Sequence, residues 1–217
     1  MRVPATSANL GPGFDTLGLA LNIYNFIEIG PATGDRDQVT TSGIFAPELP
    51  QDETNIALGA ARQLLRRLGA PATPLHLHLE NHIPFARGLG SSAAARVGAL
   101  VAAQAWAQRA YGCAALDPDE PLALATQMEG HPDNAAAALL GGLVVSASEE
   151  DGTAVAMRVP VETFPRLLVF IPRHELATSE ARRVLPANVP RADANFNVAR
   201  SSLLVAALAG QRWELLP

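Results

Sequence analysis

The segment from Pro84 to Ala94, PFARGLGSSAA, constrains the fold of this chain more than any other. It stands between an alternating apolar stretch at 75–81 and an alanine-rich stretch at 91–111, an order that predicts a strand, a tight loop and a long helix. Unpaired N–H groups and the positive end of a helix favour an anion there, so we interpret the segment as a phosphate-binding loop. The alternative is a plain tight turn in which a serine caps the helix.

The loop differs from two common nucleotide-binding loops. No Lys–Ser/Thr pair follows its last glycine, as a Walker A loop requires, and the dinucleotide pattern G-x-G-x-x-G is absent. Gly88 and Gly90 allow close approach of the backbone to phosphate oxygens. Ser91 or Ser92 can offer a hydroxyl oxygen to Mg²⁺, which prefers oxygen ligands.

The composition indicates a folded protein and disfavours several partners. Of the 217 residues, 48% are hydrophobic and 17% are charged, and the formal net charge is −5. A negative net charge disfavours binding to nucleic acid or to anionic membranes in general. Cys113 is the single cysteine and the N-terminus lacks a signal-peptide pattern, so we expect no intrachain disulfide and a cytoplasmic location.

Hydrophobic periodicity and turn residues predict the remaining elements. Asn55 is expected to cap a helix that ends near Leu68. Residues 5–18 are expected to form a loop after a short first strand, and residues 35–52 a hairpin with a polar loop. Four further helices are predicted: 120–129, a short helix that is capped by 131–134 and ends at Leu140, 178–185 and 193–209. Further strands are predicted near 19–29 and at 143–148, 153–159 and 166–171. This mixed order predicts an α+β protein built on mostly antiparallel sheets, with a domain boundary between 160 and 165.

Two groups of polar residues carry candidate chemistry in the first 140 residues. Asn9 and Asp15 flank Gly-Pro-Gly, where an amide and a carboxylate can hold ammonium and hydroxyl groups or only stabilise an Asx-type turn. Glu129, Asp133 and Asn134 stand beside a predicted helix start. Their carboxylates can serve a cation and a substrate hydroxyl, or Asp133 can only cap the helix.

A third group, Thr178 with Arg182 and Arg183, lies on a later predicted helix. The forked guanidinium of arginine binds carboxylates through two hydrogen bonds. The residues alone favour an ordinary solvated helix face.

Together these motifs resemble the GHMP kinases, the family of galacto-, homoserine, mevalonate and phosphomevalonate kinases. Pro84–Ala94 resembles the second motif of the family, and Pro4–Asp15 resembles the opening motif of the members that phosphorylate homoserine. The similarity continues through Gly130–Asn134 and Thr178–Arg182 and covers nearly the whole chain. It implies an enzyme that uses ATP and Mg²⁺ to phosphorylate the side-chain hydroxyl of L-homoserine in threonine biosynthesis.

The resemblance also implies a role for each group. Ser92 and Glu129 would ligate Mg²⁺, and Asn9, Asp15, Asn134 and Arg182 would bind the amino acid, with Arg182 on its α-carboxylate. Thr178 would lie near the reacting hydroxyl, and Asp133 stands where mevalonate kinase-like relatives carry a general base. The residues implied to surround the ATP phosphates are Pro84, Phe85, Ala86, Arg87, Gly88, Leu89, Gly90, Ser91, Ser92, Ala93 and Ala94.

The fold implied by the resemblance is an N-terminal domain of the ribosomal protein S5 domain 2 type over 1–160. The start of a ferredoxin-like domain would occupy 165–217, and a homodimer is expected. The C-terminal glycine-rich motif of the family and a second substrate arginine are absent from the 217 residues. We therefore expect the ferredoxin-like domain to be incomplete, and the chain alone to be poorly stable and weakly active or inactive.

Two other functions stay open at the level of sequence. One is another kinase of the same family, acting on a mevalonate-like or sugar acceptor. The other is a nucleotide-binding protein without catalysis, which the missing C-terminal motif favours and the joint presence of Ser92, Glu129 and Asp133 disfavours. A panel of acceptors separates the first, and ATP binding without turnover would indicate the second.

Overall fold

The computed structural model describes residues 1–117, 119–171 and 178–216, with the side chains of 48 and 178–180 left aside. The described strands are β1 (Arg2–Ala8), β2 (Leu17–Pro31), β3 (Gln38–Ser42), β4 (Leu75–Glu80), β5 (Leu143–Ser148) and β6 (Ala154–Val159). The described α-helices are α1 (Ile56–Arg67), α2 (Ser91–Tyr111), α3 (Glu120–Glu129), α4 (Asp133–Leu140), α5 (Thr178–Arg183) and α6 (Arg191–Ala209). Short 3₁₀ turns lie at Ala46–Glu48 and Trp213–Leu215.

The strands form one sheet in the order β3-β4-β2-β5-β6, and β1 pairs with β2 beside this path. Strand β2 is 15 residues long and pairs antiparallel with β1, β4 and β5 along different parts of its length. Strands β3 and β4 run parallel. The predicted α+β class with mostly antiparallel pairing is confirmed.

The first strand is longer than the sequence predicted. Residues 5–8 were expected in a loop, but they continue β1 and pair with Gly18–Leu21 of β2. The register shifts between Pro4 and Ala5, which accommodates a proline that lacks an N–H donor. Val3 and Ala5 are fully buried, so packing outweighs the local preference of Thr and Ser for a loop.

Two predicted β features are wrong. Residues 35–52 form no hairpin, because they contain one strand, β3, which pairs parallel with β4. Residues 166–171 are described but form no strand, and the side chains of 167–171 are largely exposed, with Phe170 at 91%. An apolar run becomes a strand only when a neighbouring strand accepts its backbone hydrogen bonds, and none does so within the described residues.

The helices that position the site pack closely on the sheet. A Cβ on Gly98 of α2 would lie 2.5 Å from Ile27 Cδ1. A Cβ on Gly18 of β2 would lie 2.3 Å from the carbonyl oxygen of Asp133. These contacts hold α2 and α4 against β2, and a Cβ on Gly90, just before α2, would lie 2.9 Å from Asn134 Oδ1 at the start of α4.

The predicted helices at 91–111 and 120–129 and the helix ending at Leu140 are confirmed, as is the strand at 143–148. Helix α5 ends at Arg183, and α6 begins at Arg191, each within two residues of the predicted boundary. No described helix combines the length and apolar character needed to cross a membrane. The division into domains at 1–160 and 165–217 stays a prediction.

Candidate active site

The glycine-rich loop leads from β4 into the N-terminus of α2. Gly90 precedes the helix with φ of 64° and no side chain caps the first turn. Ala86 and Gly88 also have positive φ values of 52° and 71°. The first N–H groups of α2 are therefore left without a capping side chain, as an anion-binding loop requires.

Several predicted phosphate-binding residues can contribute only their backbone. The side chains of Leu89, Ala93 and Ala94 are buried in the hydrophobic core and hold the loop in place. The Leu89 carbonyl oxygen accepts a 3.0 Å hydrogen bond from the Thr6 N–H, which ties the loop to β1. Arg87 donates through Nη1 to the Phe85 carbonyl oxygen at 2.6 Å.

The loop touches the start of α4 through Thr6. The Thr6 hydroxyl donates to Asn134 Oδ1 at 2.7 Å. A Cβ on Gly90 would lie 1.9 Å from Thr6 Oγ1 and 2.9 Å from Asn134 Oδ1, so only glycine fits at this position. The sequence alone gave no role to Thr6, because its partner Asn134 lies 128 residues later in the chain.

The two predicted metal ligands lie together. Ser92, in the first turn of α2, donates its hydroxyl to Glu129 Oε1 at 2.6 Å, at the last residue of α3. Arg96, one turn after Ser92, donates through Nη1 to the Ser92 hydroxyl at 2.7 Å and also forms a short ion pair with Glu129. The hydroxyl and carboxylate are hard oxygen donors that already attract a cation, so the residues present fit a magnesium ion.

An apolar cavity of about 240 Å³ adjoins the helix start. Sequence reasoning identified Phe85, Ser91 and Ser92 in its wall but missed the other members. The residues that complete the wall are Leu49, Pro50, Asn55, Ile56, Leu79, Asn81 and Ala95.

The N-terminal motif forms a strained turn between β1 and β2. Asn9, Leu10 and Asp15 all have positive φ values, of 68°, 46° and 55°. The Asp15 N–H donates to Asn9 Oδ1 at 2.9 Å. This hydrogen bond spans six residues, more than the two residues of an Asx turn, and ties the two ends of the motif together. Non-glycine residues in this region of φ cost energy, so the surrounding hydrogen bonds are required to hold the Asp15 carboxylate at the turn.

Arg182 of α5 meets this turn. It forms a two-pronged ion pair with Asp15, with Nη1 at 2.9 Å from Oδ2, and its guanidinium lies 5.1 Å above the centre of the Phe14 ring. The hydrogen bond that Arg182 donates to Asp15 raises the pKa of the Arg182 guanidinium above its usual value. The α5 backbone is described at Thr178, but the Thr178 side chain lies outside the described part of the structure.

Asp133 and His131 complete the group at the start of α4. Asp133 is only 1% exposed, and its Oδ1 accepts hydrogen bonds from His131 Nδ1 and from the Asn134 N–H, both at 2.7 Å. The hydrogen bond to Asp133 raises the pKa of His131, and burial opposes this rise. Ligand atoms of Asp15, His131 and Asp133 all lie within 4.8 Å of one another.

The structure thus brings the predicted residues into two adjoining groups. Ser92 and Glu129, the two predicted metal ligands, form the first group at the start of α2. The second group carries both signs of charge and consists of Asn9, Asp15, Asp133 and Arg182. Asn134 connects the second group to the loop through Thr6. Sequence reasoning missed Arg96, although its spacing of four residues from Ser92 on a helix is the signal that could have found it.

Comparisons with known proteins identify the family of the chain. A family model described as the GHMP kinases N terminal domain matches residues 55–142. A homoserine kinase from Moorella thermoacetica is 47% identical over 218 residues, covering 100% of this chain and 70% of the relative. One from Carboxydothermus hydrogenoformans is 44% identical over 214 residues, covering 99% and 68%.

A solved structure leads to the same family. The crystal structure of a homoserine kinase from Cytophaga hutchinsonii has a TM-score of 0.80 at 26% identity, covering 99% of this chain and 68% of that one. The fold and the loop define the class of protein, an ATP-dependent small-molecule kinase. The chain belongs to the GHMP kinase family, on its homoserine kinase branch.

Proposed function

We propose that the protein transfers the γ-phosphoryl group of ATP to the side-chain hydroxyl of L-homoserine, giving O-phospho-L-homoserine and ADP in threonine biosynthesis. The observation that carries the proposal is the Asp15–Arg182 pair beside Asp133 and the start of α4. A carboxylate and a guanidinium at one place are the complement of the ammonium and carboxylate of a free amino acid. Relatives at 44–47% identity bear the matching name.

The amino acid would enter by exchanging partners with the pair. Its ammonium group would bind Asp15, and its carboxylate would bind Arg182 through the forked geometry that guanidinium favours. Each protein charge keeps an opposite charge beside it throughout, which limits the cost of removing water. Asn9, which holds the Asp15 backbone, would keep this carboxylate in place.

The ATP phosphates would lie on the N-terminus of α2. The uncapped N–H groups after Gly90 support this placement, and Asn134 connects the amino-acid group to the same loop. The apolar cavity at Phe85 and Ile56 would accept the adenine ring. Holding donor and acceptor in line is itself a large part of catalysis in phosphoryl transfer.

Ser92 and Glu129 would hold Mg²⁺ through their hydroxyl and carboxylate oxygens. A bound Mg²⁺ offsets the negative charge of the β- and γ-phosphates as the bond to the leaving group lengthens. The protein contributes the fixed separation of the two ligands, since each is set at the end of a packed helix.

Asp133 has two candidate roles. As a general base it would accept the hydroxyl proton of homoserine, and its position beside Asp15 supports this role. As a structural group it holds His131 and the first N–H groups of α4. Substitution of Asp133 by Asn separates the two, because loss of a general base lowers turnover by about 10²–10⁴-fold. Nearly unchanged turnover would reject the base.

The proposed reaction is tested with the purified protein, ATP, Mg²⁺ and a panel of acceptors, with ADP release as the readout. We expect release, weak for the 217 residues alone, that depends on L-homoserine and not on mevalonate or galactose. Phosphorylation of another acceptor in preference to homoserine would reject the proposed substrate. ATP binding by calorimetry without turnover on any acceptor would reject catalysis by this chain.

We further propose a cytoplasmic homodimer. The sequence similarity to the family motivates the dimer, and the single cysteine motivates the compartment. Light scattering coupled to gel filtration measures the mass of the particle. A mass near the 22.8 kDa of one chain would reject the dimer.

A further inference from the structure

We propose that Arg96 is a built-in counter-ion that closes the Ser92–Glu129 pair in the nucleotide-free protein and competes there with a divalent cation. The inference rests on the proposed function, because it takes Ser92 and Glu129 as the metal ligands. It goes beyond that function by assigning a role to a third residue, which the sequence motifs do not include.

The contacts of Arg96 are those that a metal ion would make. One nitrogen, Nη1, reaches both the Ser92 hydroxyl and Glu129 Oε1. The same two oxygens are 2.6 Å apart. Arg96 therefore lies against the oxygen pair that a divalent cation would need.

Burial makes this contact energetically significant. The Glu129 side chain is 10% exposed and the Arg96 side chain 19%. A carboxylate buried to this degree is costly without a positive partner, and arginine keeps its charge at any ordinary pH. Arg96 thus offsets the charge of Glu129 and holds the two oxygens in position.

A metal ion and the guanidinium cannot share the pair. Two cations on one carboxylate oxygen repel each other strongly in a poorly solvated site. The long flexible side chain of Arg96 has to turn away before Ser92 and Glu129 can ligate a metal. Phosphates bound at the start of α2 would attract the displaced guanidinium, which couples opening of the pair to nucleotide binding.

The test measures Mn²⁺ binding without nucleotide, by the electron paramagnetic resonance signal of free Mn²⁺. We expect Arg96→Gln to bind Mn²⁺ at least tenfold more tightly than the unmodified protein. Arg109→Gln is the matched control, since it removes the same charge from an exposed position in the last turn of α2 and should change nothing. Equal or weaker Mn²⁺ binding by Arg96→Gln would overturn the proposal.

A second variant and a second measurement separate the loss of the Arg96 charge from a failure to fold. Arg96→Met keeps the buried stem without the charge and should also bind Mn²⁺ more tightly. Thermal unfolding gives a second readout, in which both variants melt lower than the unmodified protein without metal and gain more from added Mn²⁺. A gain no larger than that of the unmodified protein would count against the proposal.

Glu129→Gln distinguishes a wrong role for Arg96 from a wrong assignment of the metal ligands. If it abolishes Mn²⁺ binding while Arg96→Gln does not strengthen it, the metal site stands and the role of Arg96 is wrong. If Glu129→Gln leaves Mn²⁺ binding to the protein intact, the assignment of the metal ligands fails and the role of Arg96 fails with it.

Discussion

The candidate site contains two arginine–carboxylate pairs of the same chemistry in different surroundings. The Arg96–Glu129 pair joins two helices of the core, with side chains 19% and 10% exposed. The Arg182–Asp15 pair joins a surface turn to α5, with side chains 36% and 32% exposed. Because the first pair is more buried, separating its charges costs more free energy, and Glu129 requires a cation beside it. The second pair is more exposed and can exchange partners with a charged ligand from solvent.

The largest effect is expected from the buried pair. Glu129→Gln removes the charge that both Arg96 and the proposed metal need, so we expect kcat/KM for homoserine to fall by about a thousandfold, equivalent to about 4 kcal/mol. Steady-state kinetics at saturating Mg²⁺ measures this fall. Glu120→Gln, at the other end of α3 and paired with exposed Arg67, is the control. A similar loss in both variants would mean that charge on α3 matters in general and that the buried pair is not special.

A smaller and more specific effect is expected from the open pair. Arg182→Gln removes the charged contact that we propose to the substrate carboxylate, which would be worth about 1.5–3 kcal/mol, so KM for homoserine should rise by about 10–100-fold. KM for ATP should stay the same, because Arg182 lies with the amino-acid group.

Arg183 provides the control for this prediction. It is the next residue on α5 and is exposed, so Arg183→Gln should leave both KM values unchanged. A rise in KM for ATP with Arg182→Gln, or equal effects of the two substitutions, would contradict the assignment of Arg182 to the carboxylate.

The smallest effect is expected from a third pair outside the site. Arg62 Nε donates to Asp37 Oδ2 at 2.8 Å, and the side chains are 23% and 28% exposed. Burial alone would raise the pKa of Asp37, but the hydrogen bonds from Arg62 and Leu75 lower it overall. Arg62→Gln should lower the free energy of unfolding by about 1 kcal/mol or less at neutral pH, without changing the kinetics.

The sign of the pH dependence follows from the lowered pKa. A carboxyl with a lower pKa in the folded state stabilises the fold above its unfolded value near 4 and loses this contribution as the pH falls through the folded value. The difference between the unmodified protein and Arg62→Gln should therefore shrink as the pH drops from 5 toward 3. Urea denaturation at several pH values measures it, and a difference that grows on acidification would refute the role of Asp37.

Local sequence patterns predicted the helices well. The apolar stripe after Asn55 and the glycine at 112 mark the limits of α1 and α2, because caps and stops act within a few residues. The β features were harder, since pairing depends on distant partners. Strand β4 separates β3 from β2, and residues 166–171 lack a neighbouring strand in the described structure, and no local pattern indicates either.

The residues of the candidate site also differ in how well the sequence alone predicted them. The glycine loop was interpretable from its residues alone, whereas Asn9, Asp15 and Arg182 gained a role only through the resemblance to a family. Thr6 was missed because its partner Asn134 lies 128 residues away along the chain. Arg96 was missed although it lies four residues after Ser92, because its second partner, Glu129, lies 33 residues away.

The sequence by itself determined the glycine-rich loop, the helix that follows it and the residue types available for a kinase site. These depend on turns and caps, which act over a few residues. Only the tertiary structure decided that Arg96 closes the Ser92–Glu129 pair in the core while Arg182 meets Asp15 near the surface. The physical reason is that the energy of an ion pair depends on its burial and on partners distant in sequence. The residues next to a charged side chain indicate neither its burial nor its partner.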